Sequence, residues 1–385
     1  MLYHLVDWLT KLGYDFPGAG LMHYLSFRAM LAAVLSMLIA FFAGGKIIHW
    51  LQRRQIGESI RDLGLEGQMQ KKGTPTMGGV IIIVALLGSA LLVCRLDSIY
   101  TLLLLLTTLW CGAIGFMDDY IKVFRHNKDG LSAKSKLLMQ FALGLVIALT
   151  VCLSSDIHTT RLVTTIPFVK THEFDYSWLS PLRGQIGVYC TWGIYMLVII
   201  FIILACSNGT NLTDGMDGLA TGTSAIVVIT LGVMAWLSSN ILDAHYLNIM
   251  YIPGTGEVAI YMAAFAGALL GFLWYNTFPA QVFMGDTGSL TIGGVIGVSA
   301  VLIHKELLLP VLCGIFLMES LSVIIQRGWF KHTKKKYGEG RRVFLMAPLH
   351  HHYQKKGIPE ARIVTRFWIV GLLLAVATLA MLKVR

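Results

Sequence analysis

Long apolar stretches, each close to the twenty residues that a helix needs to cross a bilayer, alternate with shorter polar segments along the whole chain. This pattern predicts an all-α fold: a polytopic integral membrane protein with about ten transmembrane helices in one transmembrane domain, residues 1–385. The predicted spans are approximately 26–43, 77–94, 99–117, 137–153, 191–206, 218–237, 258–275, 289–303, 307–325 and 363–382.

Two segments outside the spans also have a readable pattern. Apolar residues at helical spacing between Leu2 and Leu12 predict a short helix in the membrane interface. Residues 161–170 mix Thr, Val, Ile and Phe around Pro167 and predict a short strand or hairpin outside the membrane. The N-terminus lacks a basic region followed by a short apolar core and a cleavage site, so no removable signal peptide is expected.

Basic residues are distributed unevenly between the loops. The loops after spans one, three and nine contain six, five and ten Lys or Arg, whereas those after spans two, four, six and eight contain one, three, none and one. By the positive-inside rule, the loops after the odd-numbered spans are cytoplasmic and both termini face the periplasm. The loops after spans five and seven contain no Lys or Arg, but alternation places them on the cytoplasmic side too.

The composition narrows the classes of partner. The chain is 56% hydrophobic and 14% charged, with a formal net charge of +10. Because the basic residues lie between spans, where they set orientation and contact anionic headgroups, membrane lipids are expected as partners and nucleic acid is not. The six cysteines show no C-x-x-C spacing and lie in or beside apolar runs, so we interpret them as packing residues.

Acidic and amide side chains cluster at the predicted cytoplasmic border. Asp118 and Asp119 directly follow an apolar run; a charged side chain at the bilayer centre costs about 2.5–3.5 kcal/mol, so this pair must face water, a cation or a substrate. Each cluster alone could simply cap the N-terminus of a helix, but several such clusters on one face of the membrane favour a functional site. The later clusters contain Asn208, Asn211, Asp214 and Asp217, at a spacing that would converge on one helix face, and then Asn276 and Asp286.

These residue types predict a magnesium and phosphate chemistry. Asp118, Asp119 and Asp286 offer the oxygen ligands that Mg²⁺ prefers, and protein-bound Mg²⁺ usually shares phosphate oxygens with its substrate. His350, His351 and His352 are consecutive and therefore project in different directions, so a zinc ion held by all three is disfavoured. The segment is then either an ordinary basic loop or a contact to a diphosphate. The cations available for phosphate are Lys71, Lys122, His350, His351 and His352.

Several motifs resemble the polyprenyl-phosphate sugar-1-phosphate transferases. They are Asp118-Asp-Tyr-Ile-Lys122, the run from Asn208 to Asp217, Phe283-Met-Gly-Asp-Thr-Gly288 and Pro348-Leu-His-His-His352. Within that superfamily, Lys71-Lys-Gly-Thr-Pro-Thr-Met-Gly-Gly79 and the triple histidine resemble the phospho-N-acetylmuramoyl-pentapeptide transferases, or translocase I. The departures are in connecting lengths, notably residues 156–185 and 331–342.

The resemblance implies a reaction and its location. Phospho-N-acetylmuramoyl-pentapeptide would pass from UDP-N-acetylmuramoyl-pentapeptide to undecaprenyl phosphate, giving lipid I and UMP with Mg²⁺ as cofactor. The site would lie on the cytoplasmic face of a bacterial inner membrane, since only there can a soluble nucleotide sugar meet a lipid phosphate. A homodimer is also a family expectation.

The resemblance also implies roles for individual residues. Asp118, Asp119 and Asp286 are the expected catalytic residues, with Asp286 and Asp119 as metal ligands. Asp118 is either a base or a covalent nucleophile. As a base it contributes less than the resemblance suggests, because a phosphate monoester with a second pKa near 6 is mostly ionised at neutral pH. Phe283 is expected to stack on uracil. The nucleotide contacts are Lys71, Thr76, Asn211, Asp214, Asp217, Asn276 and Phe283, and the contacts to the diphosphate or neighbouring groups are Lys122, Asn208, His350, His351 and His352.

Other interpretations stay open at this point. A cation-coupled transporter would also carry acids in its spans, although nearer the midplane, and a GlcNAc-1-phosphate transferase would share the metal site. Glu319, inside span nine, is either protonated or hydrogen-bonded between helices, or it supports a proton path or the site. Small-residue faces permit close helix packing, within or between chains, at Gly267, Gly271, Gly293, Gly294 and Gly297.

Overall fold

The computed structural model describes residues 1–14, 18–54, 73–125, 127, 129–154, 157, 162–167 and 173–383. Within these residues the chain is almost entirely helical, with one small two-stranded sheet. The helices are α1 (Leu2–Lys11), α2 (Leu25–Arg54), α3 (Gly79–Val93), α4 (Ile99–Phe124), α5 (Ala133–Leu153), α6 (Gly184–Thr213), α7 (Leu219–Ser239), α8 (Ile241–Leu247), α9 (Gly256–Asn276), α10 (Gly285–Leu302), α11 (Leu309–Leu312), α12 (Gly314–Tyr337), α13 (Leu349–Lys355) and α14 (Glu360–Met381).

The predicted membrane architecture is confirmed, with two irregular spans. In the described part of the chain, eight helices are long and apolar enough to cross a bilayer: α2, α4, α5, α6, α7, α9, α10 and α14. Glu306–Leu312 and Gly314–Tyr337 together form a broken span bent by 75°, and α3 is an apolar helix of only 15 residues. These ten segments correspond to the ten predicted spans.

Two helices continue into polar sequence beyond their predicted ends. The loop predicted over residues 207–217 is wrong up to residue 213, because α6 continues through Thr213. The Thr210 and Thr213 hydroxyls donate to main-chain carbonyls four residues earlier, both at 2.9 Å, and Ser207 Oγ donates to the Leu290 carbonyl at 3.1 Å. These groups are therefore satisfied inside the protein and do not require a loop. Similarly, α4 continues five residues beyond the Asp118–Asp119 pair.

The strand predicted within residues 161–170 is present, pairs with a second strand beyond that range, and docks on the turn after α10. Strands β1 (Val163–Thr165) and β2 (Glu173–Asp175) pair antiparallel. The main-chain N–H of Thr165 and the Thr164 hydroxyl both donate to the His304 carbonyl at 3.1 Å, and Lys305 Nζ donates to Thr165 Oγ1 at 2.7 Å. The side chains of His304 and Lys305 are buried there.

Helix α10 lies at the centre of the molecule. Every residue from Thr287 to Leu302 is buried, against α3, α4, α6 and α7. Glycines make this packing possible: a Cβ at Gly293 would lie 2.2 Å from the Cys206 carbonyl oxygen, and one at Gly294 2.5 Å from Cys111 Sγ. The other predicted small-residue positions, Gly267, Gly271 and Gly297, likewise pack on α2 or α6. Those faces are therefore used within the chain.

Two further local predictions, the N-terminal helix and the packing role of the cysteines, agree with the structure. The N-terminal helix is α1, with Val6 buried and Leu5 exposed. Five of the six cysteines are buried and all six are free thiols, as expected of packing residues.

Candidate active site

Three predicted carboxylates converge where α4 and α10 cross. Asp118, Asp119 and Asp286 each offer a ligand oxygen, and these atoms all lie within 4.8 Å of one another. A close backbone contact brings the helices together, because a Cβ at Gly115 would lie only 2.2 Å from the Asp286 carbonyl oxygen. The chain enters α10 at Gly285 with φ +73°, a backbone conformation that residues other than glycine rarely adopt.

Two lysines neutralise this cluster. Lys122 Nζ lies 2.5 Å from Asp118 Oδ2 and 3.3 Å from Asp286 Oδ2. Lys136 Nζ, from α5, lies 2.9 Å from Asp118 Oδ1 and 2.6 Å from Asp286 Oδ2. Lys122 was predicted to belong to the site, but Lys136 was not. Three buried or half-buried carboxylates so close together require such cations.

Each aspartate has a different environment. Asp119 accepts bonds from the Asp286 N–H (3.1 Å), the Thr287 N–H (2.8 Å) and the Thr287 hydroxyl (2.6 Å), so it caps the N-terminus of α10 from a neighbouring helix. Asp118 has no exposed surface and also accepts from the Leu131 N–H at 2.7 Å. Asp286 is the most accessible of the three.

A cleft of about 330 Å³ opens beside the carboxylates. Asp119 and Asp286 line it, whereas Asp118 lies behind them. The structure brings together in its lining these predicted substrate-binding residues: Thr76, Lys122, Asn211, Asp214, Asp217, Asn276 and Phe283. These come from segments far apart in sequence, so their convergence supports the view that the motifs form one site.

Several of the lining side chains already have protein partners. Asn211 Nδ2 donates to Asp286 Oδ1 and to Ser289 Oγ, both at 2.9 Å, and so orients the carboxylate. Asn276 Oδ1 accepts from Thr221 Oγ1 at 2.7 Å and its Nδ2 donates to the Val282 carbonyl at 3.0 Å. These two amides shape the cleft, and their direct contact with a nucleotide stays a prediction.

Other predicted residues lie away from the cleft lining. Asn208 Nδ2 donates to Gln140 Oε1 at 2.9 Å, between α6 and α5. Lys71 lies outside the described residues. The rings of His350 and His351 lie 4.2 Å apart, but His351 and His352 have separate partners. His351 Nδ1 pairs with Gln354, and His352 Nδ1 accepts from the Leu345 N–H at 3.1 Å. Desolvation, assisted by the nearby Lys356 charge, lowers the pKa of His352, which suits this acceptor role.

His350 connects the last loop to the cleft. It is fully buried, and a Cβ at Gly215 would lie 2.2 Å from its Nε2, so only glycine permits this contact with the turn after α6. Glu319 holds the histidine from the other side: its Oε1 accepts from the His350 N–H at 3.2 Å, and its Oε2 lies 3.2 Å from Nδ1. Glu319 therefore forms a hydrogen bond between α12 and α13, beside the catalytic cleft.

Comparisons with known proteins agree with this geometry. The family model for glycosyl transferase family 4 matches residues 101–304, and the phospho-N-acetylmuramoyl-pentapeptide-transferase signature 1 matches residues 71–83. The chain is 51% identical to the phospho-N-acetylmuramoyl-pentapeptide-transferase of Parabacteroides distasonis, with 100% of each chain covered. It is 53% identical to that of Flavobacterium psychrophilum and 47% to that of Bacteroides thetaiotaomicron, again with 100% of each chain covered. The chain belongs to the phospho-N-acetylmuramoyl-pentapeptide-transferase family.

Proposed function

We propose that the protein transfers phospho-N-acetylmuramoyl-pentapeptide from UDP-N-acetylmuramoyl-pentapeptide to undecaprenyl phosphate, forming lipid I and UMP. The observation that carries this proposal is the cluster of Asp118, Asp119 and Asp286 with Lys122 and Lys136 beside one cleft. A reaction between two phosphate groups requires positioning and neutralisation of charge, and this cluster offers both oxygen ligands and cations. In the proposed orientation the cleft faces the cytoplasm, at the inner membrane of a bacterium.

The donor set fits Mg²⁺, which prefers carboxylate oxygens and takes only one or two from a protein when phosphate is present. Asp286 and Asp119 would hold the ion, which would supply charge neutralisation at the diphosphate. Lys122 and Lys136 would then bind phosphate oxygens, because each already reaches carboxylates on two sides of the cluster.

The environment of Asp118 favours direct attack by the lipid phosphate on the phosphorus attached to the sugar. Its fully buried carboxylate forms ion pairs with Lys122 and Lys136 and accepts a hydrogen bond from the Leu131 N–H. These contacts hold Asp118 as a counter-ion behind the residues that line the cleft. A covalent route through Asp118 would have to break these contacts. A phospho-enzyme trapped by rapid quench with the nucleotide substrate alone would contradict direct attack.

The test is UMP release by the purified protein in nanodiscs. Release should require UDP-N-acetylmuramoyl-pentapeptide, undecaprenyl phosphate and Mg²⁺, and should stop when the ion is chelated. UDP-GlcNAc should not replace the donor, as it would for a GlcNAc-1-phosphate transferase, and a transporter would release no UMP from any donor.

A matched pair of variants connects the activity to the site. Asp286→Asn should reduce turnover at least about 1,000-fold, because it removes the most accessible charge of the cluster. Asp243→Asn, in α8 and outside the cleft lining, should retain activity. Full Mg²⁺-dependent turnover by Asp286→Asn would overturn the proposed metal assignment.

A further inference from the structure

A glutamine is buried between two membrane helices, α5 and α6. Gln140 lies on α5, and none of its side chain is exposed. Its Nε2 donates to Ser207 Oγ at 3.0 Å, and its Oε1 accepts from Asn208 Nδ2 at 2.9 Å. A buried amide is costly unless its donor and its acceptor are both hydrogen-bonded, and here both are. The amide of Gln140 therefore fastens α5 to α6.

The same part of α6 is fastened to α10. Ser207 Oγ donates to the Leu290 carbonyl at 3.1 Å. One turn further along α6, Asn211 Nδ2 donates to Asp286 Oδ1 at 2.9 Å. Helix α6 is thus fixed to α10 at a buried carbonyl and at a carboxylate of the candidate site. Gln140 joins α5 to this pair of helices.

Lys136 lies one turn before Gln140 on α5. Residues four apart lie on the same face of a helix, so the lysine and the glutamine point to the same side. Lys136 Nζ lies 2.9 Å from Asp118 Oδ1 and 2.6 Å from Asp286 Oδ2. The turn of α5 that supplies this cation is therefore next to the turn that is bonded to α6.

Apolar packing alone does not fix the rotation of α5. One turn beyond Gln140, a Cβ at Gly144 would lie 3.1 Å from Ile200 Cα, so α5 approaches α6 closely there. Apolar side chains pack almost as well on lipid as on a second helix, whereas hydrogen bonds are directional and favour one rotation and one depth. A displacement of about 1 Å at a group that acts in a reaction can lower the rate about 100-fold.

We propose, on the basis of the function proposed above, that Gln140 is a positioning residue for the transfer reaction. Its amide holds α5 against α6 so that Lys136 Nζ stays between Asp118 and Asp286, where it neutralises phosphate charge. Gln140 does not belong to the described lining of the cleft, so it acts through Lys136 and not on the substrate.

Two variants break the bonds of this amide. Gln140→Leu removes both bonds and keeps a side chain of similar size. Ser207 and Asn208 each keep a second partner, the carbonyls of Leu290 and Leu204, so neither loses its last hydrogen bond. Ser207→Ala, on α6, removes only one of the two bonds of the amide and is the milder variant.

The matched control is Thr150→Val on the same helix. Thr150 Oγ1 donates to the Val146 carbonyl of α5 itself at 2.8 Å, so its removal leaves the contact between α5 and α6 unchanged. Melting temperatures of all variants show which of them are folded. If Gln140→Leu does not fold, Ser207→Ala decides the proposal by the same measurements.

The first measurement requires no activity. The Lys136 side chain is 20% exposed, whereas Lys134 is exposed at the start of the same helix and serves as an internal reference. The protein in nanodiscs is labelled with an amine-reactive ester, and mass spectrometry gives the rate at each lysine. The rate at Lys136 relative to Lys134 should rise about threefold or more in Gln140→Leu and in Ser207→Ala, because a displaced ammonium group is less shielded. It should not change in Thr150→Val, and an unchanged ratio in the two amide variants would overturn the proposal.

The second measurement is UMP release in two backgrounds. Gln140→Leu should lower kcat/KM about tenfold or more in the unaltered protein, but less than about twofold when it is added to Lys136→Met. A purely structural role would lower kcat/KM by the same factor in both backgrounds, and that result would overturn the proposal. So would a loss in Thr150→Val as large as the loss in Gln140→Leu.

The two proposals fail in different ways. If the unaltered protein released no UMP from any donor, the proposed function would be wrong. The labelling rates would still report whether Gln140 holds Lys136 in place.

Discussion

Lys136 Nζ lies 2.6 Å from Asp286 Oδ2, joining α5 to α10 across 150 residues of sequence. The same ammonium group lies 2.9 Å from Asp118 Oδ1 on α4. One cation therefore contacts carboxylates from two further helices. It makes α5 part of the candidate site.

Replacing Lys136 should impair the chemistry more than the fold. Lys136→Met removes a charge shared by two carboxylates, and we expect kcat/KM to fall about 100-fold or more in the UMP-release assay. Lys134→Met, two residues earlier on the exposed side of α5, is the matched control and should retain activity. Equal activity of the two variants would remove Lys136 from the site.

The crossing of α4 and α10 depends on Gly115. In Gly115→Ala the new Cβ would lie 2.2 Å from a backbone oxygen, so α10 itself must move and carry Asp286 with it. Overpacking of this kind costs about 1–3 kcal/mol. We expect a lower melting temperature and a large loss of turnover.

The control for this prediction is Gly193→Ala on α6, where a Cβ would meet nothing within 4 Å. Alanine there should be neutral, or stabilise the helix by up to about 1 kcal/mol. If both variants behaved alike, backbone contact at Gly115 would not determine the position of Asp286.

Glu319 should act through His350. Glu319→Gln and His350→Gln should each lower kcat/KM about tenfold, because the glutamate accepts from the main-chain N–H of His350 and lies 3.2 Å from Nδ1 of its ring. The double variant should be little worse than either single variant, giving an interaction energy of about 1 kcal/mol or more. Strictly additive effects would instead support an independent role for Glu319, such as a proton path.

The burial of His304 predicts a contribution to stability that is lost in acid. Burial first, and then the adjacent Lys305 charge, lowers the pKa of His304 to about 4. The unfolded chain, with a His pKa near 6.5, binds the proton first, so the contribution of His304 to the free energy of unfolding falls by up to about 1.4 kcal/mol per pH unit between pH 6.5 and 4. The neighbouring Glu306 is also buried, and protonation of a buried carboxylate acts in the opposite direction, so the His304 contribution is measured as the difference in melting temperature between the protein and a His304 variant in detergent.

His304→Asn tests the assignment, because Asn tolerates the φ of +50° found at this position. Relative to the unaltered protein, the variant should gain melting temperature as the pH falls from 6.5 to 4. An identical pH profile in both proteins would exclude His304 as the titrating group.

Sequence patterns located the spans and the convergence of the motifs, because both depend on local composition and on a few residue types. They missed Lys136, since its position relative to Asp286 depends on how α5 packs beside α4. They also placed a loop at residues 207–213, because polarity alone does not reveal that Thr210 and Thr213 bond to their own helix. Side-chain partners across helices, such as Glu319 with His350, are likewise set by packing.

The burial of α10 has a consequence for how the enzyme would respond to its lipid environment. Because protein surrounds this helix from Thr287 to Leu302, a thinner or thicker bilayer acts on the outer helices first, through their tilt. Asp286 is attached to the most deeply buried of the long membrane helices in the described part of the chain. Catalysis is therefore expected to tolerate hydrophobic mismatch.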